Sequence, residues 1–213
     1  MSIVISKKNK FIFFHLPKNA GSAISDFLNK NENYYMSKKI ISKILKRFSK
    51  KDNFFFDHYQ NKLHFFRSHV SLSYIENIIS PKVFNEYFKF AVVRNPYSRF
   101  VSRYNYTKLV TKNKNLKFSK FLKNHLNYDL ITDRQYQFLL ANNSTIGVNK
   151  ILKFENLEND LNEISNKINI NLKNFKKMNA STFDDYKKYY DLETKNLVKN
   201  HCKEDLDFFN YDF

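Results

Sequence analysis

A chain of 213 residues, 42% hydrophobic and 17% aromatic, can build one packed core without staples and is too aromatic for disorder. A single cysteine, Cys202, excludes an intramolecular disulfide framework and a multi-thiolate zinc site. The balance of 37 Lys+Arg against 20 Asp+Glu, a net +17, excludes an acidic solvating domain and asks what anion the chain meets. No apolar run approaches the roughly 20 residues that span a bilayer, and no charged stretch precedes an apolar one as in a secretory signal, so the expectation is a soluble cytoplasmic protein without a membrane anchor.

In chain order, Lys10–Leu16 is a nearly continuous apolar run, the pattern of a buried parallel strand. Pro17 to Gly21 breaks it, and Ser22 is placed to cap a helix carrying Ile24, Phe27 and Leu28. Ile40, Ile41, Ile44, Leu45 and Phe48 predict a second helix with a Lys-rich outer face, and Leu63–Phe66 predicts a short strand. Ser73 with Glu76 reads as a capping box for a helix ending before Pro81. Phe88–Val93 is a second buried strand, stopped by Arg94-Asn95-Pro96 and followed by a helix with Phe100, Val101, Tyr104 and Leu109 on its apolar side. Ile151–Phe154 predicts a third strand and Leu157–Ile168 the helix after it; the last 22 residues predict one more helix and an aromatic end. No repeat or Gly/Ser/Pro-rich linker divides the chain, so one domain over 1–213 is expected. Strands alternating with helices predict an α/β fold with a mostly parallel sheet.

The charge is uneven. Residues 36–51 hold seven Lys/Arg and no acid, residues 108–123 six Lys and no acid, and residues 184–213 eight acids against five Lys. Two sources of the excess stay open: an anionic partner, or the coding bias behind a Lys-, Asn-, Ile-, Phe- and Tyr-rich mix.

Two strand-to-helix loops carry the chemistry. In Pro17-Lys18-Asn19-Ala20-Gly21-Ser22, helix N-terminal N–H groups, a Lys ammonium and a Ser hydroxyl are the parts of a phosphate cradle, with Gly21 allowing close backbone approach. The order is not G-x-x-x-x-G-K-[ST], which argues against an ATPase or kinase. In the second loop Arg94 leaves a buried strand where open α/β sheets bind ligands, and Ser102 lies about two helical turns on, so both can converge on one anion. Arg99 and Arg103, four apart, give a second basic stripe.

Together these segments resemble the sulfotransferase family 2, the group containing the heparan sulfate 2-O-sulfotransferases. Phe14 through Ser22 is similar to its 5′-phosphosulfate loop, Val93 through Ser102 to its 3′-phosphate motif, Phe154-Glu155-Asn156-Leu157 to a third segment, and the aromatic end to its finish. The resemblance implies a P-loop-like three-layer fold, with the sheet flanked by helices, and 3′-phosphoadenosine 5′-phosphosulfate as donor without a metal. It implies a hydroxyl acceptor, a saccharide favoured over tyrosine or a lipid alcohol, and no nucleic-acid partner. By position, Pro17, Lys18, Asn19, Ala20, Gly21, Ser22 and Ala23 would wrap the 5′-phosphosulfate, Lys18 also acting on the leaving phosphate, while Arg94 and Ser102 would hold the 3′-phosphate. Asn19 and Ala23 replace hydroxyl residues common in the family and predict weaker donor contacts. Of six histidines, His69 in Arg67-Ser68-His69-Val70-Ser71 resembles the family's catalytic base, with Arg67 as a substrate-binding candidate; His15 is expected in the core. The rival readings are a P-loop-like phosphoryl transferase and a basic, non-enzymatic polyanion binder.

Overall fold

The computed structural model describes residues 3–32, 71–171, 175 and 186–213. Among these, four strands form one sheet in the order β1 (Ile3–Ser6), β2 (Phe11–Phe14), β3 (Phe88–Val93), β4 (Lys150–Lys153). β2, β3 and β4 run parallel, and β1 pairs antiparallel with β2 through the turn at residues 7–10. β1 is an addition to the expected strands; four residues with no helical period before them gave little to read. The other three fall on the predicted apolar runs: β2 is shorter at both ends, β3 has the predicted bounds, and β4 begins and ends one residue earlier.

The strands are apolar on both sides because helices cover both faces. Phe11, Phe13, Phe90, Val92 and Leu152 pack against α1 (Gly21–Glu32), through Ile24 and Leu28, and against α7 (Leu157–Ile168), through Leu157, Leu161, Ile164 and Ile168. Ile12, Phe14, Ala91 and Val93 face α2 (Leu72–Ile78), α3 (Pro81–Glu86) and α6 (Gln135–Phe138), with Leu72, Ile75, Phe84 and Phe138 as the contacts. The result is a layered α/β/α arrangement. Each fully buried Phe or Leu contributes about 1.5–3 kcal/mol. A third cluster joins α4 (Pro96–Thr111) to α5 (Phe118–Leu126) and α8 (Leu192–His201) through Phe100, Tyr104, Phe121 and Val198. α9 (Lys203–Phe209) follows after a break at Cys202, so the expected single last helix is two.

Several local expectations change. Ala20, not Ser22, precedes α1: its carbonyl accepts from the Ile24 N–H at 3.1 Å, and Ser22 is an exposed first-turn residue. α2 is preceded by Ser71 with no side-chain cap, and Glu76 instead accepts from the Asn142 N–H at 2.7 Å, so Ser73 and Glu76 form no capping box. The capping box that does form is Asp191 with Thr194, at the start of α8. Leu109 is 75% exposed, so the apolar side of α4 stops at Tyr104. The predicted helix around Ile40–Phe48, the strand at Leu63–Phe66 and the basic stretch 36–51 lie outside the described residues.

Candidate active site

Parallel strands β2, β3 and β4 present three loops at their C-terminal edge: Pro17–Ala20, Arg94–Asn95 and Phe154–Asn156. The first is curled by positive φ at Lys18 (67°) and Ala20 (60°), with Asn19 between them at negative φ. Alternation of this kind bends successive N–H groups into an anion-binding concavity, and it runs into the N-terminus of α1, whose first N–H groups have no intrahelical partner. Gly21 has no positive φ. It is required for space, since a Cβ there would sit 1.6 Å from Cδ2 of the His15 ring. His15 is buried and stacks on Phe13, a core residue as expected.

Lys18, half-buried, projects its ammonium over the Tyr106 ring at 4.3 Å from the centroid. Burial, then the charges of Arg103 and Arg94, pull it down to about 8. Arg94 is 5% exposed. Its Nε donates to Ser98 Oγ (2.9 Å), an Nη donates to the Lys18 carbonyl (3.2 Å), and the guanidinium lies 4.0 Å over Phe154. Burial lowers Arg94 to about 10, opposed by the Glu155 carboxylate, so it stays cationic at neutral pH. Ser98, Ser102 and Tyr106 stand at successive turns of one α4 stripe. Ser102, half-buried, is thus one turn from the serine that Arg94 touches and one turn from the ring that Lys18 covers. The structure therefore groups Lys18, Arg94, Ser102 and Arg103 at one sheet edge, with Ala20, Gly21, Ser22 and Ala23 at the adjoining helix start. His69 and Arg67 lie outside the described residues.

Two residues of the first loop do more than expected. Asn19 is 1% exposed, and its side-chain NH₂ donates to the Val92 carbonyl (2.8 Å) and to Gln135 Oε1 (2.7 Å). Its side chain braces the fold, so the exchange of a hydroxyl residue for Asn19 bears on loop support and leaves anion contact to its backbone. Pro17 is buried, and its carbonyl accepts from Arg99 Nε at 3.0 Å. Arg99 also donates to the carbonyls of Asp133 (2.9 Å) and Thr132. The expected basic stripe is split: Arg99 points inward as a clamp, and only Arg103 faces the Lys18 side.

Sequence reading missed the polar hub beneath. Gln135, fully buried, accepts from the Arg94 N–H (2.9 Å) and donates to the Arg94 carbonyl (2.8 Å), fixing the residue on both sides. Asp205 accepts from Gln135 N–H (2.9 Å) and Tyr136 N–H (2.7 Å), although its burial keeps its pKa raised. Asp133 binds His125 Nε2 at 2.7 Å and Arg103 at 3.3 Å. Burial alone would raise its pKa; the His125 hydrogen bond and the Arg103 and Arg99 charges hold it below the usual range. Glu155 joins the second loop to the chain's aromatic end, accepting from Asn95 N–H (2.8 Å) and Tyr211 O–H (2.9 Å). The one available signal was Thr132-Asp133-Arg134-Gln135, polar residues with no period of their own.

A sulfotransferase family model matches residues 1–212. The chain belongs to the sulfotransferase family. Sulfuryl transfer is therefore its reaction class, and the α/β sheet with flanking helices fits that family. A protein of Archaeoglobus fulgidus, described only as uncharacterized, is 37% identical over 114 residues, which cover 54% of this chain and 94% of the relative. No solved structure matches. Among the described residues no group of three or more His, Cys, Asp or Glu could hold a metal, and no helix is long and apolar enough to cross a membrane.

Proposed function

We propose that this sulfotransferase uses 3′-phosphoadenosine 5′-phosphosulfate as donor and moves its sulfuryl group to an acceptor hydroxyl, with a saccharide as the favoured acceptor. The observation that carries the reading is the meeting of two loops: Lys18 in a positive-φ cradle at a helix start, and Arg94 buried beside it on Ser98. Two arginines, Arg103 and Arg94, stand close enough to Lys18 to lower its pKa, a set of cations suited to an anion, and a donor with phosphates at its 3′ and 5′ positions would supply one. Lys18, with Pro17, Asn19, Ala20, Gly21, Ser22 and Ala23, would hold the phosphosulfate end; Arg94 and Ser102 would hold the 3′-phosphate. The chemistry asked of the chain is to orient the acceptor hydroxyl, remove its proton at His69 and neutralise the leaving phosphate at Lys18. Arg67 would contact the acceptor.

The direct test is the product nucleotide, adenosine 3′,5′-bisphosphate. It is expected to raise the melting temperature without Mg²⁺; at 100 times its Kd the gain in stability is about 2.7 kcal/mol. Arg94→Ala should erase its advantage over ATP, which lacks a 3′-phosphate. Equal stabilisation of the unaltered chain by both nucleotides would count against the donor and favour a phosphoryl transferase.

Lys18 adds a pH test. The ligand favours the ammonium, whose pKa in the free protein lies at about 8. Affinity should thus be highest below that pH and fall about 10-fold per unit above it, with proton uptake on binding. Calorimetry at pH 7 and pH 9 in buffers of different ionisation enthalpy reads both. Lys18→Arg, charged throughout, should flatten the profile. A pH-independent affinity in the unaltered protein would remove Lys18 from the anion site.

A further inference from the structure

We infer that Arg103 is a third cationic ligand of the phosphosulfate end, held in place by an Asp133–His125 brace. The inference rests on the donor-site reading above and extends it to a residue outside the two phosphate motifs. Arg103 stands three residues before Tyr106 on α4, so both lie on the helix face over which Lys18 projects its ammonium, 4.3 Å from the Tyr106 ring. Its charge lowers the Lys18 pKa, ahead of Arg94 in that effect. Two cations crowded at a half-buried position raise the free energy of the empty site, and a dianionic group between them relieves it.

The brace gives Arg103 its direction. Asp133 is 1% exposed and lies 3.3 Å from the Arg103 guanidinium through one carboxylate oxygen, while the other binds His125 Nε2 at 2.7 Å. The main-chain carbonyl of the same Asp133 accepts from Arg99, which also holds the Pro17 carbonyl. One residue therefore ties the guanidinium of Arg103 to the loop that carries Lys18. A guanidinium is a planar fork of five N–H donors, and pairing with Asp133 fixes its direction. Asp133 and His125 act through Arg103 and are positioning residues. The competing role for Arg103 is a counter-ion for the buried Asp133 and nothing more.

The two roles separate by ligand. Adenosine 3′,5′-bisphosphate carries the 5′-phosphate that Arg103 would meet; adenosine 3′-monophosphate lacks it. Calorimetry should show that Arg103→Gln weakens the bisphosphate by about 10- to 100-fold, the worth of a charged hydrogen bond, and leaves the 3′-monophosphate unchanged. Arg103→Lys keeps a cation beside Asp133 and protects the fold; it should lose the same ligand selectively, by less. Asp133→Asn should reproduce part of that loss, and the double variant with Arg103→Gln should lose no more than Arg103→Gln alone. A counter-ion role would lower the melting temperature and leave the ratio of the two affinities at its original value in both Arg103 variants, which would overturn the assignment while the donor site stands. Failure of the unaltered protein to bind either nucleotide would instead overturn the donor reading, and this one with it.

Discussion

Arg99→Ala is expected to cost about 3–5 kcal/mol of stability, more than an ordinary surface Arg could. The side chain is 3% exposed and spends its donors on three carbonyls, those of Pro17, Asp133 and Thr132. Truncation leaves buried acceptors without donors, at about 1–3 kcal/mol each, and opens a cavity below α4. The damage should spread to function. The Pro17 carbonyl is one anchor of the loop, beside the Lys18 carbonyl and the Asn19 side chain, so its release loosens the positive-φ conformations of Lys18 and Ala20. Such conformations cost energy and persist only where the surroundings enforce them. Urea unfolding should show a lower midpoint at unchanged slope, and adenosine 3′,5′-bisphosphate should bind less tightly to the fraction that remains folded. Arg99→Lys should recover little, because one ammonium cannot serve carbonyls from two separate segments. A loss below about 1 kcal/mol would show that the clamp is dispensable.

The contrast between Arg99 and Arg103 shows how far the sequence could be read. Both stand in one helix, four residues apart, and nothing in the spacing says that one turns into the core and the other toward Lys18. What decides it is Asp133, a residue thirty positions away whose main chain meets Arg99 and whose side chain meets Arg103. β2, β3, β4 and α7 were legible because apolar runs and helical periods are local signals. The two loops were legible because Lys, Gly, Arg and Pro at those offsets have few other uses. Gln135, Asp205 and the side-chain role of Asn19 were not, because a buried polar hub has no period: each member is defined only by partners distant in the chain. Gly21 has a further reason that its sequence neighbourhood does not show. It stands at the end of the positive-φ loop, and the space a side chain would take there is filled by the His15 ring.

His69→Ala is expected to lower kcat by about 10²–10⁴-fold, the usual worth of a general base, while donor affinity holds. Sulfuryl transfer to a hydroxyl needs that proton removed as the new S–O bond forms, and a His in its ordinary range does so near neutral pH. The assignment rests on the segment Arg67-Ser68-His69-Val70-Ser71, and a pH profile can test it against the donor site within one experiment. If His69 is the base, kcat/KM should rise as pH climbs through the ordinary imidazole range. If Lys18 must be an ammonium to hold the phosphosulfate, the same profile should fall as pH passes about 8, its pKa in the free protein. The product is a bell whose two limbs belong to two residues, since kcat/KM reports groups on the free enzyme. His69→Ala should erase the acid limb and keep the alkaline one; Lys18→Arg should do the reverse. Loss of neither limb together with near-normal turnover in His69→Ala would transfer the base role elsewhere. A surviving alkaline limb in that variant would still report Lys18, because its proton is governed by burial and by Arg103 and Arg94, not by the acceptor side.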